Sequence, residues 1–173
     1  MRDKLVNWLI QNRPKIYEDM INTNHYVDIH EPNKYHVEGS IWTHTMMVMT
    51  WVEVQHRNEN YELDDIYHTL ITAALLHDIG KPSAYEEIDA TDTKPRRAMF
   101  KGHEGISAHM SIDILKELQV EFPMVYTDRV VEDVIRVVSL HGVLVETTDM
   151  YLNRLLSHFH MADKGGAIRD ERN

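Results

Sequence analysis

Five apolar stripes with helical spacing each carry, at or near one end, a side chain able to bind a cation, and nothing else in the chain constrains its fold as strongly. His44 shares a 3.6-residue face with Ile41, Val48 and Trp51, and His77 follows Ile66, Leu70 and Ala74. His103 precedes Ile106, Met110 and Ile114; His141 trails Val130, Val134 and Val138; Asp163 trails Leu152, Leu156 and Phe159. Asp78 stands beside His77 in the run Leu75-Leu76-His77-Asp78-Ile79-Gly80-Lys81-Pro82. A core receiving four imidazoles and two carboxylates must satisfy them, because unpaired buried polar groups cost roughly 1–3 kcal/mol each and charges far more. For any single histidine, one hydrogen bond in the core is explanation enough. For all six groups together, a metal centre accounts for them at once.

The 173 residues are of single-domain size and predict one domain spanning 1–173, with a helical segment and loop over 1–39 packed on a core of 40–170. Eighteen basic against 28 acidic residues give a formal charge of −10, which excludes a broad face for the nucleic-acid backbone but not a small phosphate pocket. The absence of cysteine removes disulfides and thiolate ligands, so a metal must be held by nitrogen and oxygen. The amino terminus lacks the apolar stretch of a signal peptide, and no apolar run approaches the ~20 residues that span a bilayer. These features predict a cytoplasmic protein without membrane contact.

Periodicity of 3.6 dominates the chain and predicts an all-α fold. A first helical segment uses Leu5, Leu9 and Ile16 and is divided by Pro14; residues 22–39 read as a loop. Ser40 caps a helix running to about Gln55, and Asp64 or Asp65 caps the next, which ends at the His-Asp pair because Gly80 and Pro82 discourage its continuation. Residues 83–102 read as a long irregular segment, and helices follow over 103–118, 127–141 and 148–162.

The interior candidates occur in the order His44, His77-Asp78, His103, His141, Asp163, separated by 33, 26, 38 and 22 residues. One ion would take His44, His77, Asp78 and Asp163, leaving His103 and His141 for a second. Asp78 is then the natural bridge, since a carboxylate offers two oxygens. Two ions about 3.5–4 Å apart clamp a substrate oxygen and lower the pKa of a bridging water, making hydroxide the expected nucleophile. The other eight histidines, His25 among them, are assigned to surfaces or structural bonds; His36 and His160 lie near the presumed ligands and are candidates to support them.

His44, His77-Asp78 and Asp163 resemble the ligand set of the HD-domain metal-dependent phosphohydrolase superfamily. Leu75–Pro82, Phe100-Lys101-Gly102-His103-Glu104 and Met161-Ala162-Asp163 are similar to the HD module found in bacterial tRNA nucleotidyltransferases, here as a stand-alone module. The resemblance covers about Tyr35 to Asp170. It implies a helical bundle, divalent metal (manganese, nickel, cobalt, iron or magnesium) and hydrolysis of phosphoesters of nucleotides or RNA termini. His103 and His141 look like the additional ligands of its two-metal branch. No Gly-Tyr-Pro motif follows, so hydrolysis of cyclic di-GMP is not implied.

Lys81 follows the His-Asp pair closely and is expected at the rim of the site, where its ammonium neutralises a phosphoryl oxygen. Lys94, Arg96, Arg97 and Lys101 form a basic run with no acid among them, and Arg96 and Arg97 are candidates for bidentate phosphate contact. A solvated charge run explains each of these residues equally well. Asp78 and Lys81 are therefore the candidate catalytic residues, and Lys81, Arg96, Arg97 and Lys101 the candidate substrate contacts. The expected reaction is phosphomonoester or 2′,3′-cyclic phosphodiester hydrolysis. Single-strand cleavage, di-iron oxygenation and a catalytically silent metal-stabilised module are the alternatives.

Overall fold

A computed structural model describes residues 1–28, 36–59, 64–91, 96–143 and 147–167. Helices dominate: α1 (Arg2–Asn12), α2 (Pro14–Asn22), α3 (Ile41–Glu59), α4 (Asp64–Leu76), the short α5 (Lys81–Ala84), α6 (His103–Glu121), α7 (Asp128–Leu140) and α8 (Met150–Gly166). Pro14 at the first position of α2 fixes a helical φ while the preceding chain turns, so the single amphipathic stretch becomes two helices. Ser40 Oγ accepts from Thr43 N at 3.2 Å at the start of α3. Thr127 and Asp149 cap α7 and α8 through their side chains.

The expected irregular segment over 83–102 instead contains a small antiparallel hairpin, β1 (Glu86–Ile88) with β2 (Arg97–Met99), in the register Glu86↔Met99, Glu87↔Ala98 and Ile88↔Arg97. Three-residue strands at the surface bury too little to leave an alternating pattern, so this departure has a simple cause.

The core is continuous, and its apolar side chains come from α1, α2, α3, α4, α6, α7 and α8. Helices α3 and α8 approach closely because glycine faces them: a Cβ on Gly166 would lie 2.7 Å from Val48 N, and one on Gly165 would meet the Trp51 ring at 2.7 Å. The turn after α4 is pinned to α6 in the same way. Gly80 N donates to Ser107 Oγ at 2.9 Å, and a Cβ on Gly80 would come within 2.7 Å of His103 O. The chain between α2 and α3 returns on itself through Ile41 N to Thr23 O and His25 N to Gly39 O, both 3.0 Å. These contacts bring the carriers of His44, Asp163, Asp78 and His103 to one interior point and lay residues 23–28 and 36–40 alongside it.

Candidate metal centre

His44 lies on the first turn of α3, His77 and Asp78 on the turn leaving α4, His103 at the start of α6, His141 just beyond α7 and Asp163 on the last turn of α8. Helix ends are where side chains from several elements can converge. The structure gathers His44, His77 and Asp163 into one group of mutually close ligand atoms and Asp78, His103 and His141 into another. Asp78 joins them: its Oδ2 lies 3.1 Å from His77 Nε2 and its Oδ1 lies 3.2 Å from His103 Nε2 and 3.7 Å from His141 Nε2. In the first group, His44 Nε2 and Asp163 Oδ1 are 3.0 Å apart, and His77 Nε2 is 3.7 Å from the same oxygen.

The tautomers follow from the backbone. Nδ1–H donates to a carbonyl in each of three imidazoles: His77 to Ala74 O at 2.9 Å, His103 to Phe100 O at 2.8 Å and His141 to Val138 O at 2.7 Å. In the neutral imidazole the opposite nitrogen, Nε2, then carries a lone pair. His103 Nε2 and His141 Nε2 face each other at 3.2 Å, both beside a carboxylate oxygen. Acceptors converge on acceptors in this space, an arrangement that requires protons or a cation between them. Lys81 Nζ reaches Asp78 Oδ2 at 2.8 Å, whereas the neighbours of Oδ1 are the Nε2 atoms of His103 and His141. All-nitrogen-and-oxygen donors with Nδ1 fixed by carbonyls fit divalent transition metals.

Charge balance points the same way. Burial opposes ionisation of Asp78, yet the positive groups around it, Lys81 among them, hold the carboxyl well below its ordinary value. Burial likewise works against Asp163, and its bond to His44 keeps it ionised. Burial disfavours charge on His44, but Asp163 and Glu38 overcome it and raise the imidazole to about 9. His77 is pushed down by burial, while His141 is raised against burial by Asp78. The site draws positive charge from whatever source is present.

Several residues sit differently from the sequence expectation. Lys81 is not at the rim: it is 8% exposed, and its Nζ also lies 3.1 Å from His25 Nε2. His25, assigned to a surface or a structural bond, takes the second of these: it is buried and bonded to Gly39 O and Lys81, and burial followed by the Lys81 charge pushes it far below its ordinary value. Arg96 pairs with Glu87 on the exposed hairpin. Arg97 and Lys101 are exposed on β2 and the turn after it, and Lys94 lies outside the described residues. His160 supports the site from behind, with Nε2 2.7 Å from His141 O. Glu38 was not anticipated. Its fully buried side chain places Oε1 2.8 Å from His36 Nδ1 and 2.9 Å from His44 Nδ1. A loop carboxylate has no periodic face to announce it; its only signal is the sequence His36-Val37-Glu38-Gly39 just ahead of α3.

A helical bundle that gathers two His/Asp ligand groups around one shared aspartate defines a metal-binding all-α domain. The sequence profile of the HD domain matches residues 41–166, and the chain belongs to the HD domain family. HD domains bind divalent metals and are in general metal-dependent phosphohydrolases. No curated protein and no solved structure matches the chain significantly.

Proposed function

We propose that the protein is a two-metal phosphohydrolase that removes a terminal phosphate, or opens a 2′,3′-cyclic phosphate, on a nucleotide or RNA end. The observation that carries this reading is the meeting of the two ligand groups at Asp78, with the Lys81 ammonium 2.8 Å from the same carboxylate. His44, His77 and Asp163 would hold one divalent ion and Asp78, His103 and His141 a second, which would supply charge neutralisation and lower the pKa of a bound water. Asp78, with one oxygen toward each group, sets the spacing of the two positions. His103, His141 and His77, with Nδ1 held by carbonyls, keep their Nε2 lone pairs directed inward without reorganisation. Lys81, paired with Asp78 Oδ2, would supply counter-charge to a phosphoryl group bound at the centre. The formal charge of −10 favours a small terminal phosphate over a long duplex.

The test is phosphate release from nucleoside monophosphates, 2′,3′-cyclic nucleotides and 3′-phosphorylated RNA, with manganese, nickel, cobalt, iron and magnesium, in wild type and Asp78→Ala. Metal-dependent release that falls by about 10²–10³-fold in the variant is the expected result, the scale of losing a principal electrostatic group. Absence of release with every metal overturns the reading; iron-dependent oxygen uptake would then mark a di-iron oxygenase on the same ligands.

A further inference from the structure

Beyond the two groups joined by Asp78, a third set of side chains has the composition of a cation site: His25, His36 and Glu38. It lies on the segment that returns from α2 to α3. His25 and His36 stack with ring centroids 4.5 Å apart, and Glu38 Oε1 is close to both His36 Nδ1 and His44 Nδ1. Its inward nitrogen already has a cation, because His25 Nε2 accepts from Lys81 Nζ at 3.1 Å. His25 Nδ1 donates in turn to Gly39 O at 3.3 Å, which leaves Nε2 as the acceptor. Asp78 Oδ2 lies 2.8 Å from the same ammonium, and the Phe100 ring centroid lies 5.5 Å from it. Phe100 also meets the His25 ring edge-on at 5.8 Å.

We propose that His25 is a positioning residue that holds the Lys81 ammonium against Asp78, and that this cluster serves the lysine instead of binding a third ion. The inference rests on the reading that Lys81 acts on a phosphoryl group. Lysine is a flexible point charge on a four-carbon stem, so a single ion pair does not fix its direction. A neutral imidazole accepting one of its protons, an aromatic face beside it and a carboxylate opposite do. A metal ion on His25 Nε2 would have to displace the ammonium that this nitrogen already contacts.

A double-mutant cycle on the full chain tests this, using His25→Phe, His25→Gln, Lys81→Met and His25→Phe/Lys81→Met. Phenylalanine keeps the stacked ring and removes the acceptor; glutamine retains an acceptor. Coupling between contacting polar groups is on the order of tenfold. His25→Phe should lower kcat/KM about tenfold on the wild-type background and less than twofold on Lys81→Met, with His25→Gln within about threefold of wild type. The unfolding constant of the metal-free protein should show the same non-additivity, a readout that stands even if no phosphatase activity is found. Metal content should remain at two ions per chain in all four variants. Additive effects in both readouts, or three ions in wild type with one lost in His25→Phe, overturn the proposal. Where His25→Phe does not fold, the ¹⁵N resonances of the His25 ring decide: they move in Lys81→Met if the bond exists, and stay in place if it does not.

Discussion

Asp78 is the residue on which both ligand groups depend, and its neighbours divide cleanly between its two oxygens. His77 and Lys81 face Oδ2, whereas His103 and His141 face Oδ1. Metal content resolved by variant follows from this division. His44→Ala and His141→Ala should each retain one ion, from opposite groups, and Asp78→Ala should weaken both. Elemental analysis after gel filtration measures it; a variant of either histidine that loses both ions would mean that the centre forms only as a unit. Five of the ligand-type residues were legible because each continues an apolar helical stripe, where an imidazole or carboxylate stands out, and Asp78 because it adjoins His77. Glu38 and the buried position of His25 were not, because residues between helices have no period against which to be read. The direction of Lys81 was hidden for a related reason: its place three residues after Asp78 sets its distance along the chain, but His25, far away in sequence, determines that it points inward.

At the scale of elements, the centre is assembled by close backbone approach as much as by its ligands. Gly166 is buried on α8 against α3, and a Cβ there would lie 2.7 Å from Val48 N and 3.0 Å from Val48 Cα, atoms that cannot move aside without shifting the helix that carries His44. Gly166→Ala should therefore cost about 1–3 kcal/mol, the usual range for overpacking, and weaken the ion held by His44 and Asp163. Gly105 provides the contrast. It is exposed within α6 with nothing within 4 Å of its notional Cβ, so Gly105→Ala should stabilise by about 0.5–1 kcal/mol through helix propensity alone. Urea denaturation separates the two, and a loss at Gly105 equal to that at Gly166 would contradict the packing argument. The helices themselves followed from 3.6-residue periodicity, with ends moved by only a few residues, as in α3 running to Glu59 and α8 to Gly166. The β1–β2 hairpin did not, since its pairs stabilise an exposed surface that carries no core pattern.

For the molecule as a whole, the interior is short of positive charge. Glu38, Asp78 and Asp163 meet at one place, and Lys81 with raised imidazoles supplies what the metal-free protein can muster. A divalent ion relieves this shortage only when the ligands are brought together by folding, because they are scattered over 120 positions from His44 to Asp163 and the unfolded chain has no such site. Binding to the folded state alone adds about 2.7 kcal/mol per site at a free metal concentration a hundredfold above Kd. For a chain of this length each kcal/mol moves Tm by roughly 2–4 °C, so saturating one site should raise Tm by about 5–10 °C over the chelated protein, and the second site should add to it. Scanning calorimetry with and without a chelator reads the shift directly. Asp78→Ala should abolish most of it, because both groups lose an oxygen. A shift of equal size in that variant would place the ions on the acidic surface, where charge attracts them without the geometry of the centre, and would remove the physical basis for two-metal chemistry in this fold.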